Sequence, residues 1–263
     1  NWRAMFLVLL IPTGLLLLGM LRLPESPRWL LAHGFPEKAR QVLRRTHRLE
    51  AVETEMLAIS ESVSEVEMSW RDLFSRPMWL PLGVAVGVAV FNQFTGINTF
   101  LQYAPSLLQG SGLGSAGAVI SDASYIAAMN FIVTMIALLL VDRVGRRPLL
   151  LTGIAGVVIF EVLLAAVNYF PLPAWDRGWL TLFFLVGFVV FFAIGPGVVV
   201  WLVISELFPT RLRGRGIALC LFFSSLSGAT LASSFISIAH RYHWSGAYAL
   251  CAICSIGYFL LVY

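Results

Sequence analysis

The sequence predicts an all-α integral membrane protein, and three observations predict it. Hydrophobic residues make up 59% of the chain and charged residues only 12%, about half the charge of an ordinary soluble domain. Apolar runs recur at close to the ~20 residues that a helix needs to cross a bilayer. Those runs lack the period-two alternation of an outer-membrane barrel.

Seven spans follow in order, at about residues 4–21, 78–100, 115–141, 148–170, 179–207, 214–239 and 244–263. The second continues, broken, to about residue 109. Its break is the polar run Asn92-Gln93-Phe94-Thr95-Gly96-Ile97-Asn98. The fifth span carries Gly195-Pro196-Gly197, with the indole of Trp201 one turn on. Hydrocarbon offers an unpaired amide no water, so bare polar groups at that depth cost several kcal/mol each. They are tolerable when they line a water-filled cavity, and broken helices in a polytopic protein point to a solute pathway.

Charge placement orients the spans. Segment 22–77, turn 142–148 and turn 208–215 hold fifteen of the 18 Lys and Arg. The opposite side has Arg3, Arg177 and Arg241. The positive-inside rule puts the rich set in the cytoplasm, with residue 1 outside and the C-terminus cytoplasmic. The net charge of +4 therefore reports topology in a multi-pass cell-membrane protein, and no nucleic-acid partner is expected.

Residues 24–76 form the one sizeable polar block and are expected to hold two or three short amphipathic helices on the membrane face. Gly83-x-x-x-Gly87 is expected to bring two helix backbones together. The run Ser224, Ser225, Ser227, Gly228, Ser233, Ser234 is read in the same way. Cys220, Cys251 and Cys254 all fall in apolar spans. A disulfide scaffold is excluded, and the Cys251/Cys254 C-x-x-C reads as small packing residues. Glu161 sits deep in a span, where a charge is expensive. A structural, bundle-facing acid is the favoured reading over proton coupling. The pattern holds no metal-ligand cluster, phosphate loop or nucleophile–base arrangement. Neither an enzyme nor a cofactor or metal is expected. The chain starts with Asn and its first span meets a basic stop at once, so a piece of a longer protein is expected.

Several motifs then converge. Pro24-Glu25-Ser26-Pro27-Arg28-Trp29-Leu30 resembles the signature after the sixth helix of the sugar porters of the major facilitator superfamily. Gln93-Phe94-Thr95-Gly96-Ile97-Asn98, with Tyr103-Ala104-Pro105, is similar to their seventh-helix motif. Asp142-Arg143-Val144-Gly145-Arg146-Arg147 resembles their loop between helices eight and nine. Gly195-Pro196-Gly197-x-x-x-Trp201 and Glu206 to Gly214 resemble the tenth helix and its cytoplasmic end. The resemblance implies helix six through helix twelve of a twelve-helix carrier. Residues 1–22 would be helix six, 23–77 a cytoplasmic linker with short helices, and 78–263 the C-terminal six-helix bundle.

The resemblance implies that Gln93, Asn98, Asn130 and Trp201 contact a sugar, with Asn92 beside them. The chemistry agrees, because amides match hydroxyls that donate and accept and an indole stacks on a sugar's C–H face. Tyr103 would belong to an external gate, and Gly195, Pro196 and Gly197 to a hinge. Glu25, Arg28, Asp142, Arg143, Arg146, Arg147, Glu206 and Arg213 would form a cytoplasmic charge latch. The implied partners are a sugar or polyol, the lipid bilayer, a missing N-terminal six-helix half and, as a candidate co-substrate, protons. The expected function is secondary active or facilitative transport by alternating access. A transporter-like solute sensor and a non-functional half-transporter fragment are the alternatives. Departures at Asn92, Gln102, Ala193 and Ser225 leave the particular solute open.

Overall fold

The computed structural model describes residues 2–46, 49–64, 70–110 and 116–263. These divide into two compact units, Asn1–Glu67 and Met68–Tyr263.

In the first unit, α1 (Trp2–Arg22) is apolar on every side. Leu10, Ile11, Leu15, Leu16, Leu17 and Leu21 are all exposed. A helix that is hydrophobic all round is made for lipid or for a partner surface, not for water. Three short helices follow: α2 (Pro27–Ala32), α3 (Pro36–Thr46) and α4 (Leu49–Ser64). Ser26 starts α2 by accepting the Trp29 N–H at 3.1 Å, and Pro27 fits the first turn, where no amide donor is needed. Gly34 takes φ +79° and lets the chain reverse into α3. Leu30, Ala39, Leu43, Val52 and Met56 close a small core among the three. Arg40 ties α3 to α4 through Glu53 at 2.9 Å and pairs with Glu37 at 3.0 Å.

The second unit is a helical bundle. A short α5 (Trp70–Leu73) and a 3₁₀ turn at Arg76–Met78 lead into α6 (Trp79–Phe94). Then come α7 (Ile97–Gly110), α8 (Ala116–Val144), α9 (Arg146–Tyr169), α10 (Ala174–Ile194), α11 (Pro196–Leu207) and α12 (Arg213–Val262). The α12 stretch has 50 residues, about 75 Å if straight and over twice the thickness of hydrocarbon. It bends at His243 (φ 61°, ψ 172°), and its length is enough for two crossings. Among the described residues, five helical stretches are long and apolar enough to cross a membrane: Arg76–Gln109, Ser124–Val144, Arg146–Tyr169, Asp176–Leu207 and Arg213–Val262.

The bundle core falls into two clusters. One gathers Phe100, Phe188, Phe235 and Tyr248; the other gathers Leu150, Ile154, Val200, Phe208 and Tyr258. α12 packs on α6 and α9, and α10 packs on α8 and α9.

The close helix approach is not where the Gly83/Gly87 spacing put it. A Cβ on Gly83 would meet nothing within 4 Å, and one on Gly87 would meet the Leu261 side chain, not another backbone. The tight crossing lies at Gly153 of α9. There a Cβ would come within 2.6 Å of the Gly195 Cα. Small residues let backbones approach only where a second small residue faces them, and Gly195 is that residue.

Candidate functional site

The break in the first of the two interrupted spans organises the candidate site. α6 stops at Phe94, and Thr95 closes it by donating its hydroxyl to the Asn92 carbonyl at 2.8 Å. Gly96 then takes φ +81°, a conformation costing other L-residues about 1–2 kcal/mol. The Phe100 N–H donates to the Gly96 carbonyl at 2.7 Å, and α7 begins. This turn brings two amides together. Asn98 Nδ2 donates to Gln93 Oε1 at 2.9 Å, and Gln93 Nε2 donates to Ser224 Oγ of α12 at 3.0 Å. Gln93 is half-buried and Asn98 is exposed. The pair therefore lies on an open face of the bundle, with amide capacity left for a ligand.

Asn92 is placed differently. It is 6% exposed, and its Oδ1 has no hydrogen-bond partner. Successive residues on a helix are rotated by about 100°, which turns Asn92 into the bundle as Gln93 turns out of it.

Asn130 is half-buried on α8, and its carbonyl accepts from the Thr134 hydroxyl at 2.7 Å. Trp201 is half-buried on α11 against the second core cluster. Among the described residues, no hydrogen bond joins either side chain to the Gln93–Asn98 network.

Ser224 was read in the sequence as a packing residue. It holds the Gln93 amide instead, and Gly228, one turn on, leaves space beside Gln93 Oε1; a Cβ there would stand 3.2 Å away. Ser227 and Ser234 return their hydroxyls to carbonyls of their own helix, at 2.7 and 2.6 Å. The only sequence signal that could single out Ser224 is its burial phase on α12, because its partner is 131 residues away.

Tyr103 is half-buried on α7. Its hydroxyl reaches the Ala232 carbonyl at 3.5 Å, and its ring stacks on Phe235 with centroids 6.0 Å apart. It fastens the segment after the break onto α12.

The second break packs against α9. α10 ends at Ile194, and α11 begins at Pro196, whose missing N–H suits a first turn. Gly195 is seated against the Leu149 carbonyl and the Gly153 Cα, at 2.6 and 2.8 Å from where a Cβ would be. Pro196 is buried and Gly197 is exposed.

Among the described residues, one ion pair joins two members of the expected charge latch. Arg146 Nε meets Glu206 Oε1 at 2.7 Å, joining the start of α9 to the end of α11. Arg147 instead donates to the Tyr263 carbonyl at 2.6 Å. Among the described residues, Asp142, Arg143 and Arg213 form no ion pair, and all three are exposed. Glu25 and Arg28 belong to the first unit and are exposed and unpaired as well. Gly145 (φ +91°) makes the sharp turn that sets Arg146 at the head of α9.

The family model described as "Sugar (and other) transporter" matches residues 1–263. This chain belongs to that family. The glucose transporter GlcP of Staphylococcus epidermidis is 33% identical over 240 residues, covering 90% of this chain and 53% of that protein. The D-xylose transporter of Levilactobacillus brevis is 34% identical over 218 residues, covering 82% and 48%. Among solved structures, the proton:xylose symporter XylE bound to 6-bromo-6-deoxy-D-glucose aligns with a TM-score of 0.83 at 27% identity, covering 98% of this chain and 55% of that one. The chain spans about half the length of the curated relatives it matches. It is a multi-pass helical membrane chain with the fold of a major facilitator sugar porter.

Proposed function

We propose that this chain supplies the C-terminal half of a carrier that moves a sugar or polyol across the cell membrane by alternating access. The observation that carries the reading is the Gln93–Asn98–Ser224 network, set by a helix break on an open face. One bundle gives such a network only one wall. A carrier needs a second bundle to close the site and to open it alternately to each side. The half-length match to relatives named for glucose and D-xylose supports this division.

In this reading Gln93 and Asn98 replace part of the sugar's hydration shell. Asn130 and Trp201 approach from α8 and α11 when solute is bound. Tyr103 lies toward the external gate, and Gly195-Pro196-Gly197 forms the hinge. The Arg146–Glu206 pair lies at the cytoplasmic face, as do the C-terminus and the helices of residues 23–77. The chain performs no covalent chemistry and needs no cofactor. Its partners are the N-terminal half, the lipid, a sugar or polyol, and protons if transport is coupled.

The test is uptake by the full-length protein in proteoliposomes, using D-glucose, D-xylose, L-arabinose and a linear polyol, with and without a pH gradient. Saturable uptake of one of them, lost in Gln93→Leu, is the expected result. Binding without uptake would make the protein a sensor. Neither binding nor uptake would make it a non-functional fragment.

A further inference from the structure

Glu161 is the one acidic residue inside the apolar stretch of α9. It is fully buried, and neither carboxyl oxygen has a hydrogen-bond partner. No cation stands near enough to pair with it among the described residues. Its polar neighbours come from α12. Across the packing of α12 on α9, the Ser255 hydroxyl is buried and unbonded, and Cys251 shares a buried cluster with Val157 and Leu164, which flank Glu161 on its own helix face. One turn beyond Ser255, the Tyr258 hydroxyl is also buried without a partner.

The other helices packed on α9 bring no charge to this depth. The charged residues of α10 are Asp176 and Arg177, that of α11 is Glu206, and those of α8 are Asp122, Asp142 and Arg143, all toward helix ends; Tyr125 lies further into α8 and is neutral as a phenol. A bare carboxylate in such surroundings would be held by nothing. A carboxylic acid is neutral, and its O–H can be donated to Ser255 Oγ.

The same neighbours lead to the solute network. Cys251 Sγ lies 3.2 Å from where a Cβ on Gly96 would be, so the thiol rests against the α6–α7 break. Cys251 and Cys254 also line a cavity of about 160 Å³, together with Phe94 and the hydroxyl-bearing Thr230 and Ser234. The lining of that cavity is mainly apolar, and the Thr230 and Ser234 hydroxyls already donate to carbonyls of α12, so the cavity marks where the break and the thiols meet.

We propose that Glu161 is a proton-binding site of this bundle, linked through Cys251 to the helix break that holds the solute-facing amides. The step is Glu161 carboxylate plus a proton from water giving the acid, with no other bond made or broken. Movement of the break on solute binding shifts Cys251 and changes how well the acid form is accommodated. By reciprocity, the proton changes solute affinity by the same factor. The link rests on the proposed sugar site; the proton site does not.

The test uses the full-length protein in lipid. Infrared difference spectra are expected to show a protonated-carboxyl C=O band at neutral pH that is absent in Glu161→Gln and shifted in Ser255→Ala. The Ser255 variant assigns the band even if the Gln variant fails to fold. D-xylose and D-glucose affinities are expected to change by about fivefold or more between mildly acidic and mildly alkaline buffer in the wild type, and to be flat in Glu161→Gln. No protonated-carboxyl band in the wild type overturns the proton site. A band with the same pH profile of affinity in both proteins overturns the link. Failure of the wild type to bind either sugar sinks the sugar reading and the link with it, while the band still decides the proton site.

Discussion

At Gly96 the chain turns between α6 and α7 with φ +81°, and amides gather around the turn. At Gly195 it turns between α10 and α11 with φ −107°, and glycine packs on glycine. Both breaks interrupt a membrane-spanning stretch, and both use a glycine. Gly96 is needed for its backbone conformation, which few other residues adopt. Gly195 is needed for its missing side chain, because the Leu149 carbonyl and the Gly153 Cα occupy the space. One break presents polar groups to an open face. The other gives the bundle a close contact of glycine on glycine, where the proposed hinge lies.

Gly195→Ala should have the largest effect on stability. The added methyl meets backbone atoms at 2.6 and 2.8 Å, which cannot yield as a flexible side chain would. Overpacking of this kind costs about 1–3 kcal/mol and sometimes more. The expected result is a large fall in Tm of the purified protein in lipid or detergent. An unchanged Tm would show that the α9–α10 contact is slack.

Gly96→Ala should come second. The strain of φ +81° is worth about 1–2 kcal/mol. The neighbours of the new methyl are the Cys251 Sγ and the Phe100 ring, each at 3.2 Å. These are side-chain atoms and can move by a few tenths of an ångström. We expect a smaller loss of Tm than at Gly195 but a larger loss of sugar affinity, because the turn sets where Gln93 and Asn98 meet. The opposite ranking would mean that the two breaks have exchanged roles.

The two breaks were unequally legible in the sequence. Asn92 to Asn98 announces itself, since polar residues and a glycine stand out in an apolar run. Gly195-Pro196-Gly197 announces a bend for the same reason. What the second break packs against was not visible, because Gly153 is an ordinary small residue until the fold sets it opposite Gly195. Gly83 and Gly87 carry the same local pattern and meet no backbone. Spacing within one helix says which residues share a face, and only the tertiary fold says what that face touches. The placement of Asn92 could have been derived, because a helix step separates it from Gln93 by about 100°. Ser224 could not, since its role depends on a partner in a distant helix.

Ser224→Ala sharpens the polar side of the comparison. It removes one acceptor for the Gln93 amide and adds no bulk, and Gln93, half-buried, retains access to water. A hydrogen bond of this type contributes about 1 kcal/mol net. Tm should hardly change, and sugar affinity should fall about fivefold, with partial recovery in Ser224→Thr. A fall in Tm with unchanged affinity would return Ser224 to the packing residues.

Glu206→Ala should have the smallest effect on stability and tests the side of the second break. The Arg146–Glu206 pair is short at 2.7 Å, but both side chains are 49% exposed. Exposed pairs contribute about 0–1 kcal/mol, so Tm should move little. Yet the pair joins the start of α9 to the end of α11, the two helices that meet near Gly153 and Gly195. If that contact is the proposed hinge, a small free energy placed across it is felt mainly in the balance between arrangements, where 1.4 kcal/mol corresponds to about a tenfold change in population. In the full-length protein, Glu206→Ala should raise the reactivity of cysteines introduced on the cytoplasmic side of the solute path, a bias toward the inward-open state. Exchanging the charges (Arg146→Glu with Glu206→Arg) should restore the balance if the pair itself is responsible. If the exchange restores nothing, Arg146 serves the orientation of the chain in the membrane, and the pivot is held by the glycine contact alone.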